Sequence, residues 1–190
     1  MNGRVAHARS EGQVTTVTGL FFLLLLVIVM ATQIRLAAFR GAGIFAEDAL
    51  AASVLASALI DIEEYGKTHM LRIASPQNSY TLFMELLPKN LNLNHNWESK
   101  NQQIVKGKIE VWEYIVYNVD GKRVMVSEFG KSEKETYEDA RGVGSVQTPN
   151  GIQIESTSIY SRIGFWVTGL FETEFYAFKE VCVDVVTNQA

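Results

Sequence analysis

The chain has 190 residues, enough for one domain and an anchor, with 17 Lys+Arg against 21 Asp+Glu and a formal net charge of −4. All of these charges except Arg4, Arg9 and Glu11 lie from Arg35 onward, leaving that part acidic by about five. An acidic balance excludes the clustered basic face that nucleic-acid binding needs, and 47% hydrophobic residues exclude long disorder.

From Gly12 to Ile34 no residue is charged, and Leu20 to Met30 is wholly apolar. About 20 such residues in a helix cross the ~30 Å hydrocarbon layer, so this stretch is expected to span a membrane once. The competing reading is a cleavable secretory signal, with Arg4, His7 and Arg9 as its basic start and a cut near Leu36-Ala37-Ala38. The apolar run exceeds the ~7–15 residues of an ordinary signal core, which favours a retained anchor. Lys and Arg tie across the two flanks, Arg4 and Arg9 against Arg35 and Arg40. The short N-terminal tail is therefore placed in the cytoplasm on economy, and the C-terminal domain outside it.

The helix is expected to continue past the lipid. No proline occurs between Arg35 and Tyr65, and apolar residues recur near helical spacing at Leu36, Phe39, Ile44, Leu50, Leu55, Leu59 and Ile62. Small residues form two rows stepping by four, Ala38-Ala42-Ala46 and Ala49-Ser53-Ser57, which would allow close helix packing. An Ala-rich surface helix of good propensity explains the same rows. Gly66 and Lys67 make a helix end, so the expected division is 1–12 leader, 13–66 transmembrane and amphipathic helix, and 67–190 extracytoplasmic domain.

Within the last segment, Pro76 to Leu87 fits a short helix capped by Ser75 and closed by Pro88. From Val105 the period changes to two. Alternating residues up to Val119 and from Lys122 on, joined by Asp120-Gly121, predict a hairpin on a type I′ turn. That turn would pair Tyr117 with Val124, Ile115 with Val126 and Trp112 with Phe129, and would set Glu113 against Glu128. Lys131 to Arg141 reads as a charged connection, and Pro149-Asn150-Gly151 as a turn between short strands near Val143–Val146 and from Ile152. A later strand runs through Ile159 to Phe171, and a last one carries Val181, Val183 and Val185 on one face with Glu180, Cys182 and Asp184 on the other. The fold class expected is α+β, a long N-terminal helix followed by an antiparallel sheet of about four to six strands.

No catalytic constellation rises above background. His7, His69 and His95 lack a second ligand at metal spacing, and the G-x-G pairs at Gly41 and Gly142 lack a phosphate-binding fingerprint. Glu133, Glu135, Glu138 and Asp139 lack the ordered spacing of a calcium loop. Cys182, the single cysteine, has no local base and cannot form an intrachain disulfide. Trp112 and Trp166 read as core rather than ligand platform. Hence no enzyme, cofactor, metal site or small-molecule substrate is expected.

A basic leader, a small residue, an apolar helix and then an antiparallel sheet resemble a pilin or pseudopilin. More narrowly, Arg9-Ser10-Glu11-Gly12-Gln13-Val14-Thr15 leading into Leu20–Met30 resembles the start of TadE/TadG-like minor pilins of tight-adherence systems. The resemblance covers the first ~65 residues by pattern. It implies a leader cut after Gly12, leaving Gln13 as the new terminus, and partners that are other pilin-like subunits or an assembly platform. Val17 stands at the fifth position after that cut, where the family usually carries glutamate. The function expected is a structural, non-enzymatic pilus or secretion component. The alternative is a single-pass anchored binding or sensor domain.

Overall fold

The computed structural model describes the backbone of residues 3–100, 105–131, 135–169 and 173–185, and side chains from Val14 onward. Helix α1, Gly3–Ser57, includes the expected leader from Gly3, so no break separates leader from span at Gly12. Two compact units divide at Gly41/Ala42. In the first, the side chains of Leu20–Met30 all point outward, from 43% exposed at Leu25 to 65% at Phe22. One helix is thus long and apolar enough to cross a membrane. Thr18 and Thr32 donate back to the carbonyls of Val14 and Ile28 at 2.9 and 2.8 Å, which satisfies both hydroxyls within the helix.

The second unit begins inside α1, which ends at Ser57 rather than near Gly66. Tertiary pairing stops it. Ile60 bridges Ile73, with Leu59 and Asp61 bonding the backbone of Ala74 and Arg72, and Asp61 then caps a separate short helix α2, Ile62–Thr68, by accepting from the Glu64 N–H at 2.9 Å. Helix α3, Pro76–Asn90, starts at the Ser75 cap as expected and runs through Pro88 instead of ending before it. Proline there forfeits one bond to the Met84 carbonyl and does not break the last turn.

Five antiparallel strands follow: β1 Val105–Asp120, β2 Arg123–Gly130, β3 Glu135–Asp139, β4 Ser158–Thr168 and β5 Glu174–Asp184, in the order β3-β2-β1-β4-β5. The fold is therefore α+β. The hairpin register differs from expectation by one turn position. Asp120 pairs Arg123, so Gly121 and Lys122 are the loop, and Gly121 at φ 60 takes the first central place of a type II′ turn. Tyr117 consequently faces Val126, and Glu113 faces Gly130, which removes the expected carboxylate clash with Glu128. The apolar face survives because the register changes by two. Part of the expected charged connection is strand β3, an edge strand whose Tyr137 hydroxyl donates to Glu128 at 2.8 Å; Glu133 lies outside the described residues. Around Pro149-Asn150-Gly151 the turn forms, and the flanking strands reduce to a single Gln147–Gln153 bridge.

One face of the sheet packs on helices. Tyr114, fully buried, packs at a tilt with its ring centroid 4.7 Å from that of Phe83, and Lys179 reaches Glu47 of α1 at 2.9 Å. Leu50, Val54, Phe83 and Leu87 complete that core at 0% exposure. The opposite face is divided. Ile115, Tyr117, Val124, Val126 and Tyr160 are covered by Val146 and Ile154 from the long β3–β4 connection, and the far end of that face is uncovered.

Candidate functional site

The residues singled out for helix packing fall into two environments. Ala46, Ala49, Ser53 and Ser57 are buried, Ala42 is half-buried and Ala38 is exposed. The buried members serve the chain's own core. Ser53 donates to the Ala49 carbonyl at 2.7 Å and accepts from Asn90. Ser57, Ser79 and Tyr114 form a hydroxyl cluster with oxygens 2.8 and 2.6 Å apart, joining α1, α3 and β1. Burial raises the Tyr114 phenol, partly offset by these two hydroxyl bonds. Gly12 and Gln13 lie in the helical backbone of α1, and the Gln13 side chain is outside the described residues.

Groups with catalytic potential stay dispersed. His69 and His95 are both exposed and far apart in the chain, and among the described residues no three His, Cys, Asp or Glu side chains converge to hold a metal. Cys182 packs on the covered core beside Tyr160. Burial, with a smaller contribution from Asp184, pushes its thiol up to about 11, which keeps it protonated and poorly nucleophilic at neutral pH.

The uncovered end of the sheet concentrates the remaining chemistry. Trp112, Trp166, Tyr176 and Phe178 form one aromatic group, with Trp166–Tyr176 centroids 5.3 Å apart, Tyr176–Phe178 5.1 Å and Trp112–Phe178 5.1 Å, all near-perpendicular. Alternation alone would turn Trp112 towards the helices. The register shift between Val111 and Glu113 leaves it without a partner on β4 and re-aims it to the open face. Gly164 makes room beneath, since a Cβ there would strike the Tyr176 hydroxyl and sit 2.7 Å from Trp112 Nε1. Trp112 Nε1 donates to the Tyr176 oxygen, Tyr176 donates to Glu110, and Lys131 donates to the same carboxylate. The Lys131 bond, then the Tyr176 bond, holds Glu110 below its ordinary value.

Two cations lie on the rings, Lys131 Nζ 4.0 Å from the Trp112 centroid and Arg162 Cζ 4.1 Å from Phe178. Beside them Glu113 Oε2 and Arg162 Nε are buried without a hydrogen-bond partner among the described residues, Arg162 Nε being 3.9 Å from Glu180. Trp166 is 46% exposed and Phe178 38%. Trp112 and Trp166 are thus members of a surface platform and not of the core. Exposed aromatic rings with arginine at their rim have the composition of a binding hot spot. The platform escaped detection in the sequence because a bulge, invisible to alternation, assembles it. No family model matches the chain, and neither a curated relative nor a solved structure matches it.

Proposed function

We propose that this chain is a membrane-anchored, non-enzymatic structural subunit of the pilin or pseudopilin kind, similar to TadE/TadG-like minor pilins, acting in a pilus or secretion apparatus. The observation that carries the reading is the use made of α1. Its residues before Gly41 present an uncovered apolar surface, whereas Ala46, Ala49, Leu50, Ser53, Val54 and Ser57 are buried in an α+β unit with an antiparallel sheet. One helix therefore serves both lipid or neighbouring subunits and the domain's own core, as an anchored assembly subunit requires. In this reading the N-terminus is cytoplasmic, the sheet unit is extracytoplasmic, and the partners are the membrane and other pilin-like subunits or assembly-platform proteins.

The test is N-terminal mass analysis of the membrane-extracted protein. A terminus at Gln13, lost when Gly12 is replaced by a bulky residue, supports prepilin-type processing. An intact Met1 or a cut near Ala38 rejects it. A second reading, an anchored binding or sensor domain, is favoured by the exposed aromatic platform. Amine-reactive cross-linking in intact membranes separates the two, since a structural subunit yields higher-order adducts of this chain and a solitary sensor does not.

A further inference from the structure

Within the unit Ala42–Ala190, the course of α1 across the sheet fixes which end of the sheet the helix enters by. Glu47 pairs with Lys179 at 2.9 Å, and further along the helix Ser57 bonds Tyr114 at 2.8 Å. On β4, Lys179 stands opposite Ile163 and Tyr114 opposite Ser161. As α1 advances it therefore moves away from the end where β4 closes at Thr168 and β5 opens at Glu174. The incoming residues lie towards that end, and β4 continues past Ile163 by five residues, about 16 Å at ~3.3 Å per residue. Trp166, Phe175 and Phe178 of the sheet are exposed there, as are Ile44 and Phe45 of the incoming helix. Helix α2 belongs to the opposite end, where Arg72 lies 3.6 Å from Asp120 at the close of β1.

The tether to the apolar run is short. Seven residues, Arg35–Gly41, separate that run from the unit, about 10 Å of helix at ~1.5 Å per residue. The headgroup layer outside the hydrocarbon takes up roughly 5–7 Å on each side of a bilayer. Charge points the same way. Ala42–Ala190 holds 13 Lys+Arg against 20 Asp+Glu, yet the charges at the platform rim cancel in the pairs Lys106–Glu174, Lys131–Glu110 and Arg162–Glu180. The acidic excess therefore lies elsewhere on the unit, and the end nearest the tether is neutral, aromatic and edged with long cationic side chains. Headgroup depth favours that composition. Trp and Tyr rings set an apolar body against acyl chains with a polar tip in water, and Lys and Arg lay their stems along apolar surface with the charge outward. We propose that the platform end of the sheet rests in the headgroup layer of the bilayer that α1 spans, with Trp166, Phe175 and Phe178 among the lipids. This rests on the reading of α1 as a membrane span, and adds a second, peripheral contact with the same bilayer that leaves α2 in water.

The experiment uses the full chain in phosphatidylcholine vesicles, dilute enough that most vesicles hold a single chain. On a Cys182→Ala background, a polarity-sensitive fluorophore is attached at Lys108→Cys beside the platform, at Glu63→Cys on α2, or at Leu25→Cys in the span. All three positions are exposed, and none belongs to the rings that make the contact. Lipid spin-labelled at its headgroup should quench the probe at position 108 several-fold more than the probe at 63, with the emission at 108 shifted to the blue. Adding Trp166→Glu and Phe175→Glu should lower the quenching at 108 to the level at 63 without releasing the chain from the vesicles. The comparison of the two positions on the unaltered platform stands whether or not the substituted chain folds. Equal quenching at 108 and 63, or quenching at 108 that survives both substitutions in a folded chain, overturns the contact. So does a blue shift at 108 that headgroup quenchers do not reach and that appears only at high chain density, which marks a second copy as the occupant. If lipid spin-labelled in the acyl chain quenches the probe at 25 while headgroup lipid leaves the probe at 108 untouched, this contact falls and the anchor stands. If neither probe is quenched, both fall.

Discussion

Tyr114 illustrates how one polar atom in a core constrains three elements. Its hydroxyl is buried with those of Ser57 and Ser79, which themselves donate to the carbonyls of Val54 and Ser57. Tyr114→Phe removes the shared partner and should cost roughly 1–2 kcal/mol, read as a lower unfolding midpoint in detergent. Cys182 makes an opposite demand, since its environment rejects charge. Its thiol should react slowly with iodoacetamide in the folded protein at pH 8 and rapidly after denaturation. Because the folded value is raised, that contribution to stability is intact below about pH 9 and is lost as the pH rises through about 11. Glu110 behaves in the reverse sense. Lys131 and Tyr176 lower its folded value, so its contribution is present above the ordinary value of 4.5 and is lost as the pH falls through the lowered one. An acid titration followed by tryptophan emission should show this transition, and Glu110→Gln should abolish it.

At the scale of elements, the β1–β2 hairpin and the bulge in β1 decide which side chains share a face. Inserting one residue at Gly121-Lys122 moves Ile115 and Tyr117 off the covered face, and should cost at least ~3 kcal/mol of stability in chemical denaturation. Gly164→Ala tests the platform. The new methyl must displace Tyr176 or Trp112, so the Trp112 environment should change, with a shifted emission maximum and roughly 1–3 kcal/mol of destabilisation. The hairpin itself was legible from alternation and Asp120-Gly121, but its turn type was not. Local propensity favours aspartate-glycine as the central pair, whereas pairing Asp120 with Arg123 keeps Asp120 in the ladder, its carboxylate 3.6 Å from Arg72. Strand β3 was hidden for a related reason. Its Glu-Thr-Tyr-Glu-Asp sequence looks like a solvated loop, and an edge strand tolerates such charge because one side of its ladder faces water.

For the whole molecule, the apolar part of α1 makes the strongest demand. Burying Leu20–Met30 is worth several kcal/mol at about 25 cal/mol per Å², so the full chain should stay with membranes through alkaline carbonate washing. Recovery in the soluble fraction would remove the anchor and with it the assembly reading. In the sheet unit, Val146 and Ile154 close over Ile115, Tyr117, Val124, Val126 and Tyr160, so that part of its apolar surface is buried within the chain itself.

The sequence by itself determined the helix through Leu20–Met30, the Ser75 cap, the hairpin and the α+β class. Each depends on composition or spacing within a few residues, where local physics dominates. Tertiary structure decided what ends α1 at Ser57, since Ile60 pairs with Ile73, far along the chain. It also decided that Cys182 faces a core and that Trp112 joins Trp166, Tyr176 and Phe178 on an open face. Those outcomes depend on register and on a bulge. Both are set by contacts between distant strands, so no window of sequence contains them.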